Sequence, residues 1–132
     1  MPESRASSRP VRVLLVDDDA ENRRLLRRLL EAWDLDVVGE AADGMAGVEL
    51  AGKLVPDVVL MDVRMPIMDG FEATKIITGA LPRTRVVLLT DLHDRCLRRR
   101  AEEYGASDYL SKEGSAVLIR DAILRAGRSE AE

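Results

Sequence analysis

Apolar residues are distributed along the chain in two alternating patterns. Short continuous runs of β-branched and aliphatic residues are typical of buried strands, whereas apolar positions three to four residues apart are typical of amphipathic helices. Runs of the first kind predict strands at about 11–16, 35–39, 57–61, 85–90 and 107–111. Stretches of the second kind predict helices between them, at about 20–32, 44–54, 70–78, 93–104 and 114–126.

A regular repeat of strand and helix predicts an α/β fold, in which a parallel sheet is covered by helices on both faces and the crossovers are right-handed. The length of 132 residues suits one domain with a single core. We expect this domain to occupy residues 11–126. The polar residues 1–10 are predicted to be a disordered tail, and residues 127–132 a C-terminal tail or the start of a linker.

The first predicted helix illustrates the pattern. Asp19 is placed to cap its N-terminus, because a side-chain oxygen there can accept hydrogen bonds from the N–H groups of the first turn. Gly105, directly after the fourth predicted helix and before the fifth strand, is typical of a helix C-terminal stop. The apolar face of the first helix is predicted to contain Leu26, Leu29, Leu30 and Trp33.

Four of the predicted strands end at side chains that can take part in chemistry. In strand order these residues are Asp17 with Asp18, then Asp62, Thr90 and Lys112. In an open parallel sheet the carboxyl ends of the strands share one edge, and ligands bind at that edge. Carboxylates, a hydroxyl and an ammonium group that converge there predict a site for a metal ion and a phosphoryl group.

The residue types suggest a division of labour within this site. Mg²⁺ is usually held by one or two carboxylates together with a phosphate, which suits Asp17 and Asp18. Asp62 stands alone at its strand end and is the natural nucleophile, since a carboxylate can form an acyl phosphate. The metal and Lys112 can neutralise charge on the phosphoryl oxygens. Thr90 can donate a hydrogen bond to one of those oxygens.

Composition narrows the classes of function. The net charge of -4 and the aromatic content of 3% give no basis for direct binding of nucleic acid or of an anionic membrane. A single cysteine excludes an internal disulfide framework and suits a reducing compartment. The chain has neither an apolar stretch of membrane-spanning length nor the apolar core of a signal peptide. These features predict a cytoplasmic domain.

The motifs at the strand ends together resemble the receiver domain of bacterial two-component response regulators. The resemblance covers about residues 11–126 and implies a flavodoxin-like fold with strand order 2-1-3-4-5. The motifs that carry it are Val16-Asp17-Asp18, Met61-Asp62-Val63-Arg64-Met65-Pro66 with Met68-Asp69-Gly70, Leu89-Thr90, and Asp108-Tyr109-Leu110-Ser111-Lys112.

The resemblance implies roles for particular residues. Asp62 would accept phosphate from a histidine kinase, and Lys112 would contact that phosphate. Mg²⁺ would be bound by Asp17, Asp18, Asp62 and the backbone carbonyl of Arg64.

The resemblance also implies an output. Thr90 and Tyr109 would form a switch pair that controls docking of a partner or of a second copy of the chain. The sequence Asp-Val-Arg-Met-Pro is most similar to the corresponding motif of receivers that precede helix-turn-helix DNA-binding domains. The resemblance therefore implies a C-terminal domain of that kind as a partner. Beyond its own phosphorylation and dephosphorylation, the domain is not expected to be an enzyme.

Some positions depart from the family pattern. Asp91 follows the switch threonine, where the family often has a small residue, and its negative charge can slow entry of an anionic donor. Glu113 follows the lysine, where proline with a cis peptide bond is common, so that loop is expected to differ. Arg64 and Leu92 occupy places that resemble those tuning phosphate lifetime.

Two other functions are compatible with parts of this pattern. A haloacid-dehalogenase-type phosphatase also uses acids, a hydroxyl and a lysine at strand ends, but it requires Asp-x-Asp followed soon by Thr or Val. Here Asp17-Asp18-Asp19 is followed by Ala20-Glu21-Asn22. The other is an interaction module with a receiver fold that works without phosphorylation. The complete set of acids argues against this module, and Asp91 argues for it.

Overall fold

A central sheet of parallel strands dominates the computed structural model, which describes residues 9–91 and 95–128. The strands are β1 (Arg12–Val16), β2 (Asp36–Ala41), β3 (Val58–Asp62), β4 (Arg85–Thr90) and β5 (Asp108–Ser111). Every neighbouring pair is parallel, and the order is β2-β1-β3-β4-β5. The flavodoxin-like order implied by the resemblance is therefore confirmed.

A helix follows each strand of the described chain. The helices are α1 (Ala20–Ala32), α2 (Gly44–Leu54), α3 (Gly70–Ala80), α4 (Arg95–Glu103) and α5 (Ala116–Arg128). The α5 helix begins and ends two residues later than predicted, so Gly127 and Arg128 belong to it and not to a tail. Of the predicted tails at 1–10 and 127–132, residues 1–8 and 129–132 lie outside the described residues. Within the described chain no helix is long and apolar enough to cross a membrane.

The hydrophobic core is divided into two layers by the sheet. Successive residues of a strand point to opposite faces, so each strand contributes to both layers. One layer joins the sheet to α1 and α5 through residues such as Leu30 and Ile123, both fully buried. The other joins it to α2, α3 and α4 and contains Phe71, Ile77 and Tyr109. Helices thus cover both faces, as the strand–helix repeat predicts.

The α1 helix confirms its predicted cap and corrects its predicted apolar face. Asp19 is the N-cap, and its carboxylate accepts hydrogen bonds from the N–H groups of Glu21 and Asn22. Leu29 was predicted to be on the buried face, but it is 39% exposed. Successive helix positions are rotated by about 100°. Leu29 therefore turns away from the sheet when Leu30, the next residue, points into the core.

The connections around β1 decide where a ligand can reach the sheet. The chain leaves β1 through α1 toward β2 on one side, whereas β3 pairs with β1 on the other side. Successive connections therefore diverge between the carboxyl ends of β1 and β3. A crevice at such a switch point is the usual place for a ligand in this class of sheet.

Candidate functional site

Three carboxylates meet at the switch point between β1 and β3. Each of Asp17, Asp18 and Asp62 offers one oxygen, and these oxygens all lie within 4.8 Å of one another. Asp17 and Asp62 are buried, whereas Asp18 is exposed. The predicted convergence of the three acids is thus present in the structure. Such a set of hard oxygen donors, with one face open to solvent, fits a Mg²⁺ ion that keeps some of its waters.

Lys112 follows β5, the strand beyond β4 in the sheet, and its side chain reaches the acid cluster from there. Its Nζ lies 2.9 Å from Oδ2 of Asp62 and 3.4 Å from Oδ2 of Asp17. The backbone N–H of Lys112 donates to the carbonyl of Thr90 at 2.7 Å, which fixes the start of its loop against the end of β4. One ammonium group therefore serves two buried carboxylates.

Burial and charge act on Asp62 in opposite directions. Burial raises the pKa of the Asp62 carboxyl, and the charge of Asp17 raises it further. The hydrogen bond and charge of Lys112, with a backbone N–H of Arg64, lower it, but the net pKa stays above the ordinary value. Burial also lowers the pKa of Lys112, yet its pKa is raised overall because Asp62 and Asp17 favour the ammonium form. The carboxylate charge of the cluster is thus incompletely compensated by the protein.

Residues that the sequence analysis missed hold Asp17 in place. The amide of Asn22 and the backbone N–H of Asp19 donate to the Asp17 carboxylate. The guanidinium of Arg23 donates to the Asp17 carbonyl at 2.6 Å. The signal was available, because a helix capped at Asp19 places Asn22 in its first turn, facing back toward the strand end.

Thr90 and Tyr109 project from the same face of the sheet. Thr90 ends β4 and is buried, and Tyr109 pairs with Leu88, two residues earlier in β4. Side chains two positions apart on a strand share a face, as do paired positions on neighbouring strands. Tyr109 is 5% exposed and belongs to the layer covered by α2, α3 and α4. The predicted switch pair therefore shares one layer, with Thr90 nearer the acid edge.

The departures from the family pattern lie at the rim of the site. Asp91 is exposed, directly after Thr90. Among the described residues every peptide bond is trans, including the bond between Lys112 and Glu113. The N–H of Glu113 donates to the Ser111 hydroxyl at 3.1 Å, which closes a local turn. Leu92 lies outside the described residues.

The loop between β3 and α3 packs tightly on the back of the site. A Cβ atom on Gly70 would lie 2.3 Å from the Asp62 carbonyl oxygen, so only glycine lets α3 begin here. Asp69 caps α3 by accepting from the N–H of Glu72 at 2.9 Å. The motif Asp69-Gly70 thus has a structural role. The position of the Arg64 carbonyl as a metal ligand stays a prediction.

Comparisons with known proteins agree with this geometry. The sequence model of the response regulator receiver domain family matches residues 13–124. The chain is 46% identical over 121 residues to the transcriptional regulatory protein LiaR of Bacillus subtilis, covering 91% of this chain and 57% of LiaR. It is 42% identical over 115 residues to the transcriptional regulatory protein LnrK of the same organism, covering 86% of this chain and 52% of LnrK. It therefore spans about half the length of these relatives.

A solved structure supports the same family assignment. The signal receiver domain of the response regulator NarL from Mycobacterium tuberculosis superimposes with a TM-score of 0.85 at 36% identity. That comparison covers 90% of this chain and 97% of the NarL domain. Residues 13–124, which the family model matches, include every strand end described above. This chain therefore belongs to the receiver domains of two-component response regulators and is similar to the LuxR/NarL-type members.

Proposed function

We propose that this receiver domain is a phosphoacceptor switch in which Asp62 takes a phosphoryl group from a histidine kinase in the presence of Mg²⁺. Modification of Asp62 then changes the docking of a partner or a second copy through Thr90 and Tyr109. The single observation that carries this proposal is a buried carboxylate, Asp62, which lies within reach of two further acids and one lysine. We attribute no other reaction to the domain.

Asp62 is the nucleophile of the proposed transfer. A carboxylate oxygen of Asp62 forms a bond to the phosphorus of a phosphohistidine, while the phosphorus–nitrogen bond breaks and its electron pair returns to the imidazole. The product is an acyl phosphate on Asp62 and an unmodified histidine on the donor. The alternative nucleophiles are less suitable, because Asp17 is held by Asn22 and Asp19, and Asp18 is exposed.

The metal site of the proposal consists of Asp17, Asp18, Asp62 and the Arg64 carbonyl. A bound Mg²⁺ would neutralise charge on the carboxylates and on the phosphoryl oxygens. This suits a cluster in which one lysine faces two buried acids and the pKa of Asp62 is raised by burial.

Lys112 and Thr90 act on the phosphoryl group after it has been placed on Asp62. The Lys112 ammonium already hydrogen-bonds to an Asp62 oxygen, so it needs little movement to contact a phosphoryl oxygen. The Thr90 hydroxyl belongs to the next strand end and would donate to another phosphoryl oxygen. A shift of Thr90 would change the packing around Tyr109, which shares its face of the sheet.

The proposed switch has a phosphodonor and an output partner. We propose that the phosphodonor is a histidine kinase and that the domain is cytoplasmic. The relatives that extend beyond the matched region are named transcriptional regulatory proteins. We therefore propose that the output of this domain acts on a C-terminal DNA-binding domain, with homodimerisation through α4, β5 and α5 as its readout.

Intact-mass spectrometry after exposure to acetyl phosphate and magnesium tests this proposal. The wild type should gain one phosphoryl group, and Asp62→Asn, which keeps the shape and removes the nucleophile, should gain none. Asp36→Asn is the matched control, because Asp36 is an exposed acid at the amino end of β2, and it should be modified like the wild type. An adduct that persists in Asp62→Asn contradicts the assignment. A wild type without any adduct that still binds its partner would favour the phosphorylation-independent module, which the exposed charge of Asp91 supports.

A further inference from the structure

Arg98 of α4 contacts Tyr109 of β5 in two ways. Its Nη2 donates a hydrogen bond to the Tyr109 carbonyl at 2.9 Å. Its guanidinium carbon lies 5.8 Å from the centroid of the Tyr109 ring, within the range of a cation–π interaction. A single side chain therefore holds both the backbone and the ring of the residue proposed as the switch.

The α4 helix has few other attachments to the sheet. Ala101 is the one buried residue among those that the structure describes in α4, and Leu97 is half-buried. The rest of the helix is strongly polar and mostly exposed, with arginines at positions 95, 98, 99 and 100. Arg100 attaches α4 to α3, since its guanidinium carbon lies 4.9 Å from the centroid of the Phe71 ring. Because little apolar surface fixes α4, the contact of Arg98, which joins the helix directly to β5, also contributes to its position.

The chemistry of the contact requires an arginine. The planar guanidinium can donate in its plane to a carbonyl while its face or edge stays against an aromatic ring. A lysine ammonium is a compact point charge and can favour one of these contacts but not hold both in a fixed geometry. Aliphatic stems of arginine pack on apolar surface, so an arginine that contacts the Tyr109 ring can also shield it from solvent.

We infer that Arg98 is a positioning residue that keeps the Tyr109 ring buried and transmits its position to α4. The inference rests on the proposed function in one respect, namely that Tyr109 is part of the switch. Movement of the ring would break the cation–π contact and leave Arg98 holding β5 by its hydrogen bond to the Tyr109 carbonyl, which loosens the attachment of α4. Arg98 thus links the chemistry at the sheet edge to the helix surface available to a partner.

Exposure of the Tyr109 ring can be measured directly. The chain has two tyrosines, so a Tyr104→Phe background with fluorotyrosine incorporation gives one fluorine resonance from Tyr109. A soluble gadolinium chelate broadens this resonance in proportion to ring exposure. We expect Arg98→Ala to increase the broadening at least threefold, and Arg98→Lys to give an intermediate value. Arg99→Ala is the matched control, with the same charge change on the same exposed helix, and should match the background protein.

The outcomes of this measurement are distinct. Equal ring protection in Arg98→Ala and the background overturns the inference. Equal exposure in Arg98→Ala and Arg99→Ala also overturns it, because the effect would then come from the charge of the helix. If Arg98→Ala fails to fold, Arg98→Lys decides: a broader resonance in a folded protein supports the inference, and an unchanged one overturns it.

A second measurement tests transmission to α4. Beryllofluoride with magnesium mimics the acyl phosphate, and amide exchange across 95–103 should change in the wild type and in Arg99→Ala. In Arg98→Ala this change should fall to less than half, although acetyl phosphate still modifies Asp62 at the wild-type rate. An undiminished change in Arg98→Ala overturns the transmitting role. A wild type that binds no beryllofluoride refutes the proposed function instead, and the fluorine measurement still decides whether Arg98 holds the ring.

Discussion

Asp62 and Glu40 are both carboxylates bonded to cationic side chains, yet their environments shift their pKa values in opposite directions. Glu40 lies on β2, where the guanidinium of Arg27 and that of Arg23, at 3.1 Å, both donate to it. The hydrogen bond from Arg27 outweighs burial and, with Arg23, lowers the pKa of Glu40. For Asp62, burial outweighs the bond from Lys112 and raises the pKa.

The difference lies in how many cations each carboxylate has and how much water reaches it. The Glu40 side chain is 29% exposed and has two guanidinium partners. The Asp62 side chain is 8% exposed and shares one ammonium with Asp17. A carboxylate whose charge is fully satisfied within the protein serves the fold. One whose charge is left incompletely balanced is suited to a ligand that completes the balance.

The largest expected effect comes from removing the shared cation. Lys112→Met keeps the aliphatic stem and leaves Asp62 and Asp17 without their ammonium group. Loss of one partner of a fully buried pair costs about 3–5 kcal/mol. Because the Lys112 side chain is 25% exposed, we expect a loss of about 2 kcal/mol in the free energy of unfolding without divalent metal. Urea denaturation measures this loss.

The matched variant at the other carboxylate is Arg27→Met. Glu40 keeps Arg23 and remains partly solvated, so the expected loss is below about 1 kcal/mol. Addition of Asp62→Asn to Lys112→Met should recover most of the larger loss, since the uncompensated charge of Asp62 is then removed and Asp17 keeps its hydrogen bonds from Asn22 and Asp19. Equal losses in the free energy of unfolding for Lys112→Met and Arg27→Met would show that the carboxylates at Asp62 and Glu40 do not differ in how far their charge is balanced.

A smaller effect is expected from magnesium. Binding to the native state alone stabilises by RT ln(1 + [L]/Kd), which is about 1.4 kcal/mol at a tenfold excess over Kd. Thermal melting of the wild type should therefore shift upward by several degrees in millimolar magnesium. Asp18→Ala should lose most of this shift, whereas Glu40→Gln should keep it. A melting temperature of the wild type that does not respond to magnesium would count against the metal site.

The smallest effect concerns the pH dependence of stability at Glu40. Its pKa is lowered in the folded state, so its stabilising contribution is present above the pKa of the unfolded chain. That contribution is lost as the pH falls through the folded-state value. Glu40→Gln should therefore be less stable than the wild type at neutral pH, by less than about 1 kcal/mol for a partly exposed pair. The two proteins should converge in stability once the pH has fallen below the lowered, folded-state pKa of Glu40.

Denaturation of both proteins between neutral and acidic pH provides the test. A gap that widens toward low pH would have the wrong sign for a carboxylate with a lowered pKa. The contribution of Asp62 to stability has the opposite pH dependence, because its raised pKa favours the folded state with the carboxyl protonated. Its unfavourable contribution appears as the pH rises above the ordinary carboxyl value.

The acid cluster was predictable from the sequence for a simple geometric reason. Parallel strands joined by helices must end at the same edge, so Asp17, Asp62 and Lys112 had to lie along one edge of the sheet once their strands were identified. The caps at Asp19 and Asp69 were equally local, because each lies just before a helix. The strand order was different, since apolar runs identify strands but not their neighbours, and it came from the resemblance alone.

Contacts made by long side chains across the fold were decided only by the tertiary structure. The two arginines on Glu40, the turn of Leu29 toward solvent and the contact of Arg98 with Tyr109 all depend on how each helix is rotated against the sheet. Sequence spacing determines which residues share a helix face, but not the angle at which that face meets its neighbour. The pattern along the chain thus determined the chemistry at the strand ends. Packing of the helices decided which charges are balanced and which side chain contacts Tyr109.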